Sequence, residues 1–362
     1  MELLHTAERI AVFALGALVV AATVLSAIET VVVPRAYQTL LTTVHFRLLL
    51  RLFRLLAGPR RSFEWRDRIM ALYAPVALIF LPGLWVLLMM TGFTCIFWAS
   101  GIHPVSEAFV TSGSSLLTLG FVRPPGTGRV ALAFAQAVVG LGLVSLMISY
   151  LPTIYGAFSR REALVGMLEV RAGLPPSPDR MLIRFNQLSS LGQIVPDVIQ
   201  PWAEWFVDIE ESHTSHPSLV YFRSPHPQRS WITAAGCVLD TAAIIRSTVD
   251  LPRDPRCDLL LRTGFLALRR IADHFGIRYD PSPTPTDPIS VSRAEFDALC
   301  HELSVAGLPL VPDRDQAWRD FTGWRVNYDA VLVGLCDLVM APPAPWSSDR
   351  APASSRRRLR RG

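Results

Sequence analysis

The sequence contains no lysine, so all 35 of its basic residues are arginine. A GC-rich coding background favours such a bias, which makes the arginine content weak evidence for nucleic-acid binding. Charged residues make up only 18% of the chain and hydrophobic residues 51%, whereas a soluble protein averages about 25% charged residues. This composition argues against a disordered chain and against an ordinary soluble enzyme.

Cysteine is scarce, and the known catalytic motifs are missing. The five cysteines lie far apart without a C-x-x-C pair, which argues against a disulfide framework and a zinc ribbon. They are Cys95, Cys237, Cys257, Cys300 and Cys336. The chain has no G-x-S-x-G, no H-E-x-x-H, no kinase set, no P-loop and no G-x-G-x-x-G after a strand. We therefore expect no enzymatic activity and no regulatory domain of the Rossmann type.

Three long apolar stretches occupy the first 158 positions. They cover residues 10–33, 69–100 and 130–158, and Glu29 is the single charge within them. A hydrocarbon core of about 30 Å needs about 20 helical residues, so each stretch is long enough to cross it. Because lipid offers no partners for backbone groups, each must be helical. The flank before the first stretch is not basic and no small-residue cleavage pattern follows, so we expect no cleavable signal peptide.

The arginines around these stretches predict an orientation. The segment 34–68 is rich in arginine, and the third stretch exits into Arg160 and Arg161, whereas the loop 101–129 carries only Arg123 and Arg129. The arginines of the first segment are Arg35, Arg47, Arg51, Arg54, Arg60, Arg61, Arg66 and Arg68. The positive-inside rule then predicts a multi-pass plasma-membrane protein with its N-terminus and the 101–129 loop outside.

Residues 37–57 have the pattern of a basic amphipathic helix. Leucines recur at positions 48, 52 and 55, and arginines recur one residue earlier each time. Such a helix is suited to lie on an anionic inner leaflet and to bind lipid headgroups. A cytoplasmic extension of the first helix explains the same pattern, and both interpretations stay open.

The remaining sequence predicts a mainly helical cytoplasmic domain over residues 159–346. Helical patterns cover 259–275 and 293–306, the residues DPSPTPTDP at 280–288 are typical of a rigid loop, and 219–222 is strand-like. The arginine-rich tail 347–362 is expected to be disordered. The predicted segments are therefore 1–33, 34–68, 69–158, 159–346 and 347–362.

A short apolar segment lies between the second and third stretches. Residues 105–117 are too few to span a bilayer, which is typical of a re-entrant helix. Glu107 falls in its first turn, where a helix favours an acid, and hydroxyl groups at 112, 114 and 115 can satisfy backbone groups at membrane depth. Thr118-Leu119-Gly120-Phe121 follows, and then an abrupt Pro-Pro-Gly exit.

This succession over residues 69–158 resembles the pore module of tetrameric potassium channels, among them bacterial proteins with a long cytoplasmic domain. Thr118, Leu119, Gly120 and Phe121 match the family's Thr-Val-Gly-Tyr filter. The resemblance implies an all-α membrane protein with three transmembrane helices, a re-entrant pore loop and a homotetrameric pore. It also implies that filter carbonyls coordinate potassium, that Gly140 and Gly142 form a gating hinge, and that the permeating cation is the only metal, with no cofactor.

Two positions depart from the family's pattern. Val122 and Arg123 stand at the outer mouth, where Gly and Asp are usual. A β-branched residue lacks the backbone freedom of glycine, and four arginines near one axis would repel cations. The pore architecture therefore follows more readily than potassium selectivity. The alternative is a non-conducting membrane receptor or scaffold that retains the pore fold.

Two other groups of residues have weaker functional interpretations. Glu29, near the cytoplasmic end of the first stretch, pairs with Arg35, faces the pore as a cation site, or lies at the membrane interface. The second group consists of Asp208, Glu211, His213 and His216. These could ligate zinc, but their spacing fits no established site, and a capped helix end is the simpler reading.

Overall fold

The computed structural model describes residues 2–33, 40–58, 60–188 and 190–350. Over these ranges the chain is all-helical, and the only β-type pairing is one isolated bridge between Val249 and Leu310. The chain divides into two compact units, and the helices Phe63–Ala99 and Thr127–Ala172 each belong partly to both. The first unit comprises Met1–Gly58 and Leu72–Tyr155, and the second comprises Pro59–Ala71 and Gly156–Gly362.

The first unit contains two short helices and most of three long ones. Its elements are α1 (Glu2–Val31), α2 (Leu40–Ala57), α3 (Phe63–Ala99), α4 (Val105–Leu116) and α5 (Thr127–Ala172). Helices α1, α3 and α5 are long and apolar enough to cross a membrane, with mean hydropathies of 2.5, 2.2 and 2.2. This confirms the three predicted stretches and marks the chain as a membrane protein.

Small residues allow α1 and α3 to pack closely. A Cβ added at Gly16 would meet the Gly92 backbone oxygen closer than 3.0 Å, and one added at Gly92 would meet Val20 closer than that limit. Close backbone approach at small residues is a common way for helices to associate in lipid. Near the other end of the contact, Arg9 Nε donates to the Ala99 carbonyl at 2.9 Å.

Helix α2 is a helix of its own and not an extension of α1, and it is hydrogen-bonded to α3. The Tyr73 hydroxyl donates to the Phe46 carbonyl at 3.0 Å, and the His45 ring bonds to the Ala77 carbonyl at 2.9 Å. The leucines at 48, 52 and 55 and the arginines at 47, 51 and 54 are all exposed. The predicted amphipathic helix is thus present from Leu40 to Ala57, while residues 34–39 lie outside the described ranges.

The second unit is a helical assembly around α8. Its helices are α6 (Pro178–Leu188), α7 (Gln200–Ser215), α8 (Trp231–Ser247), α9 (Pro255–His274), α10 (Arg293–Val305), α11 (Arg314–Arg325) and α12 (Asp329–Val339). Almost every residue of α8 is buried. Burial on all sides requires an apolar helix, and α8 has this composition. Helix α7 contributes Trp202, Trp205 and Phe206 to the same core.

Capping residues fix where several of these helices begin. The Asp254 carboxylate accepts from the backbone N–H of Arg256 at the start of α9. Ser292 and Glu295 form a capping box at the start of α10, and the Asp313 side chain accepts from Gln316 at the start of α11. Each cap satisfies backbone donors that have no partner within the helix.

The structure corrects two predictions in the second unit. Residues 219–222 are not strand-like, because Pro217–Tyr221 form a 3-10 turn directly after α7. Ser347 and Trp346 are buried, and Arg350 forms ion pairs with Glu295 and Asp349, so the start of the tail is packed. The rest of the predicted disordered tail, residues 351–362, lies outside the described ranges. The predicted loop at 280–288 is confirmed as non-helical.

Candidate functional site

Helix α4 carries the candidate site, and in the chain it lies between α3 and α5, two helices long and apolar enough to cross a membrane. It begins after Pro104, carries the exposed Glu107 in its first turn, and ends before Leu117. One face is buried within the first unit, through Ala108, Thr111, Ser112, Ser114 and Leu116. The Thr111 hydroxyl donates to the carbonyl one turn earlier, which satisfies it inside the helix. The candidate filter, Thr118 to Phe121, therefore follows a well-anchored helix end.

The backbone of the candidate filter alternates between two conformations. Thr118 has φ of +55° and Gly120 has φ of +69°, while Leu119 and Phe121 are outside the positive-φ region. Glycine adopts positive φ freely, whereas for a β-branched residue such as threonine it is a real strain. Strained backbone persists where the surroundings hold it and is concentrated at functional sites.

Three N–H groups of this segment, and that of Val122 after it, donate to residues at the end of α4. Leu119 N and Gly120 N donate to the Ser114 carbonyl at 2.9 and 3.3 Å, and Thr118 N donates to the Ser115 carbonyl at 3.2 Å. Val122 N donates to the Ser114 hydroxyl at 3.1 Å. Successive amides that converge in this way form a concave nest. Among the described residues, no donor reaches the carbonyl oxygens of residues 118–121.

Apolar side chains of this segment are open to the surroundings of the single chain. Leu119 is 60% exposed and Phe121 is 64% exposed, and Leu117 is exposed as well. Such exposure of large apolar side chains marks a surface that contacts lipid or another protein. At the predicted outer mouth, Val122 is half-buried and Arg123 is exposed, and Arg123 forms no ion pair within the described part of the chain.

The two glycines of the predicted hinge lie in an uninterrupted helix. Helix α5 continues through both of them. Gly140 is buried, and a Cβ there would lie closer than 3.0 Å to the Leu116 carbonyl oxygen at the end of α4. Gly142 is exposed, and a Cβ there would have no neighbour within 4 Å. Gly140 is thus a contact point with α4, and the hinge role of both residues stays a prediction.

Behind the candidate filter lies a polar bridge that sequence reasoning missed. Gln136 on α5 is fully buried, and its Nε2 donates to the Ser112 hydroxyl on α4 at 2.7 Å. The Ser112 hydroxyl in turn donates to the Met90 carbonyl on α3 at 3.0 Å. A single amide in an otherwise apolar stretch is the signal that would have drawn attention to this residue.

Glu29 is half-buried near the end of α1. Its proposed partner, Arg35, lies outside the described ranges, and within them no group forms an ion pair or a hydrogen bond with Glu29. Thr30 and Ser26 on the same turn instead bond to Thr42 of α2, each at 3.1 Å. The three interpretations of Glu29 stay predictions.

The residues considered as zinc ligands do not come together. Asp208 pairs with Arg160 at 3.1 Å, Glu211 is exposed, and His213 is fully buried. In the part of the chain that the structure describes, no three His, Cys, Asp or Glu side chains are grouped so that they could hold a metal ion.

His213 belongs instead to a buried cluster around Arg161. Arg161 donates to the carbonyls of Leu219 and Phe222 at 2.8 and 2.7 Å and contacts the His213 ring at 3.1 Å. It also pairs with Glu162 at 2.8 Å. Burial lowers the pKa of His213 well below its ordinary value, and the neighbouring guanidinium charge lowers it further. The cluster attaches the end of α5 to α7 and the turn that follows.

A second buried cluster connects three helices of the same unit. Arg325 on α11 is fully buried and pairs with Asp240 on α8 at 2.5 Å and with Asp329 on α12 at 2.9 Å. The Tyr328 hydroxyl donates to Asp240 at 2.8 Å. Removing one partner of such a buried set leaves an uncompensated charge, which costs about 3–5 kcal/mol. The arrangement is therefore a structural connection between the helices.

Comparison with known proteins identifies no relative of the chain. No family model, no curated protein and no solved structure matches the chain.

Proposed function

We propose that the chain is one subunit of a homotetrameric cation channel that resembles potassium channels. The observation that supports this best is the backbone of residues 118–121. The N–H groups of Thr118, Leu119 and Gly120 donate to α4, and the carbonyl oxygens of residues 118–121 have no donor among the described residues. A run of free carbonyls is what a filter needs to replace the hydration shell of a partly dehydrated cation.

The need for four copies follows from the proposal itself. One chain supplies one such segment, and a cation requires carbonyl oxygens from all sides. The exposed side chains of Leu119 and Phe121 would then contact neighbouring subunits. In this arrangement the Thr118 hydroxyl faces the inner cavity, and the C-terminus of α4 directs its partial negative charge towards the cation. The proposal involves no catalysis and no cofactor.

In the proposed topology, the protein lies in the plasma membrane with residues 101–129 outside and the second unit in the cytoplasm. The arginine distribution supports this orientation. Helix α2, with its exposed leucines beside exposed arginines, would lie on anionic headgroups of the inner leaflet. The second unit would regulate the pore through the continuous helix α5.

Arg123 favours a second candidate function, a non-conducting receptor or scaffold with a pore fold. Its guanidinium is exposed two residues after the candidate filter and has no ion-pair partner among the described residues. Four such charges around one axis would raise the electrostatic energy of a cation at the outer mouth. Within the channel proposal, the same feature predicts slow conduction and a strong salt dependence.

The test is potassium flux into liposomes that contain the purified protein, with sodium as the comparison ion. Gly120→Ala is the test variant, because its φ of +69° strains any residue with a side chain. Gly126→Ala is a matched control, since Gly126 has φ of +85° and, like Gly120, would place a Cβ without neighbours. Both changes therefore act through the backbone alone.

We expect potassium-selective flux in the wild type that falls at least about tenfold in Gly120→Ala, because left-handed backbone costs about 1–2 kcal/mol in each copy. Gly126→Ala should conduct like the wild type. Equal flux in both variants would contradict the filter. A tetramer without any flux, even after Arg123→Asp and Val122→Gly are combined, would favour the receptor.

A further inference from the structure

The buried amide of Gln136 needs an explanation beyond packing. The residue is fully buried within a membrane-crossing helix. An amide taken out of water costs free energy unless both its ends find hydrogen-bond partners. Here only the nitrogen is bonded, and Oε1 has no partner within the described residues. Buried unsatisfied groups are rare in native proteins, and each requires a reason.

The hydrogen bonds fix the orientation of this amide. The single Ser112 proton is directed at the Met90 carbonyl, at 3.0 Å. With its proton used there, the Ser112 hydroxyl accepts from Gln136 Nε2 at 2.7 Å, so the amide presents its nitrogen to the bridge. Oε1 is then the end of the amide that has no partner among the described residues.

The bridge leads to the acceptors that hold the candidate filter. Ser112 and Ser114 are two residues apart on the rigid helix α4. The Ser114 carbonyl and hydroxyl receive the N–H groups of Leu119, Gly120 and Val122. Any shift of α4 at Ser112 therefore moves the partners of three backbone groups in the segment that follows.

Helix α5 holds α4 at a second point on the same face. Gln136 and Gly140 are four residues apart, so they lie one above the other on α5. Gly140 is in close contact with the Leu116 carbonyl, the last turn of α4. The hydrogen bond at Ser112 and the close approach at Leu116 together determine both the position and the direction of α4.

We infer that Gln136 is a positioning residue of the ion pathway: through Ser112 and α4 it holds the carbonyls of residues 118–121 in the geometry that selects a cation. The inference rests on the proposed function, whose filter it deepens. Gln136 touches no permeating ion in this scheme. Its buried amide, although left with an unpaired oxygen, keeps α4 in one position through the hydrogen bond to Ser112.

The test compares Gln136→Met with the wild type in full-length protein. Methionine is similar in length, cannot bond to Ser112, and removes the unpaired oxygen. The variant loses one hydrogen bond, worth about 1 kcal/mol, but it also relieves a buried unpaired oxygen, which costs about 1–3 kcal/mol. We therefore expect an unchanged or higher thermal unfolding midpoint. A lowered midpoint would mean that the variant loosens the fold as a whole.

Two further measurements test the positioning role. Amide hydrogen exchange of a peptide covering residues 117–123 should be faster in Gln136→Met by about fivefold, the factor that one net hydrogen bond supplies. The potassium-to-sodium flux ratio should fall by about the same factor. Ser145→Ala is the control on α5, because the Ser145 hydroxyl is exposed and bonds only within its own helix.

The bridge also predicts coupling between its two side chains. Ser112→Ala combined with Gln136→Met should accelerate exchange no more than the stronger single variant, since both break the same connection. Unchanged exchange at 117–123 in Gln136→Met would overturn the inference, and so would a lowered unfolding midpoint. Faster exchange without any wild-type flux would support the positioning role while rejecting the channel.

Discussion

Gly140 and Gly142 are two residues apart on α5, and they differ in what a side chain would meet. A Cβ at Gly140 would overlap the Leu116 backbone oxygen, which cannot move aside cheaply, whereas a Cβ at Gly142 would meet nothing within 4 Å. We expect Gly140→Ala to lower the free energy of unfolding by about 1–3 kcal/mol, the usual cost of overpacking. Gly142→Ala should change it by less than about 1 kcal/mol, because alanine favours a helix.

Unfolding of the full-length protein in detergent micelles, followed by circular dichroism, measures both variants of this pair. Equal losses of stability would show that Gly140 does not contact α4. A change in flux without a change in stability, in either variant, would favour the hinge that the sequence predicts.

At this scale the sequence indicates candidate residues but not their contacts. The run Thr118 to Phe121 could be identified because the filter pattern is local in the chain. The sequence also shows that Gly140 is a glycine, but not whether the position needs flexibility or space. That distinction depends on the Leu116 carbonyl, 24 positions away. For the same reason the Gln136 bridge, which joins three helices, has no local signature.

At the scale of elements, the junction of α5 and α7 predicts a pH dependence. His213 has a pKa well below its ordinary value because it is buried beside Arg161. Its unfolded form binds a proton below about pH 6.5, while the folded form does not. Its contribution to stability is therefore complete above that pH and is lost progressively as the pH falls from there towards the lowered folded value.

We expect the free energy of unfolding of the second unit to fall between pH 7 and pH 5. His213 contributes at most about 1.4 kcal/mol per pH unit to this fall. The variant His213→Gln should remove that contribution, because glutamine is polar but does not titrate in this range. Denaturant titrations monitored by tryptophan fluorescence at pH 5, 6 and 7 give the slopes. His226→Gln, at an exposed position, should keep the wild-type slope. An unaltered slope in His213→Gln would refute the assignment.

Element boundaries were predictable where local chemistry sets them. The start of α10 agrees with the predicted helix at 293–306, because Ser292 and Glu295 form a capping box within four consecutive residues. Residues 219–222 were predicted wrongly as strand-like from their apolar, β-branched and aromatic composition. Backbone bonds from Leu219 to His216 and from Phe222 to Leu219 form a turn there instead, and the Arg161 cluster holds it.

At the scale of the whole molecule, the uneven distribution of arginine predicts which segments lie on each side of the membrane. Thr127 at the start of α5 and Gln228 before α8 are both exposed, so each accepts a cysteine without a packing cost. In intact cells, a membrane-impermeant maleimide should label Thr127→Cys and should label Gln228→Cys only after permeabilisation. Four native cysteines are buried and Cys95 is half-buried, so the unmodified chain provides the background. Labelling of Gln228→Cys in intact cells would invert the topology.

Helix α5 is much longer than a membrane crossing requires, and it contains a proline. Its 46 residues correspond to about 69 Å at 1.5 Å per residue, whereas the hydrocarbon core is about 30 Å thick. The helix is therefore more than twice as long as the span it would need, and its last part, from Gly156 onward, belongs to the second unit. Pro152 lies inside this helix and lacks the N–H that the preceding turn would use. We therefore expect Pro152, besides the predicted hinge at Gly140 and Gly142, to be a point at which this long helix bends.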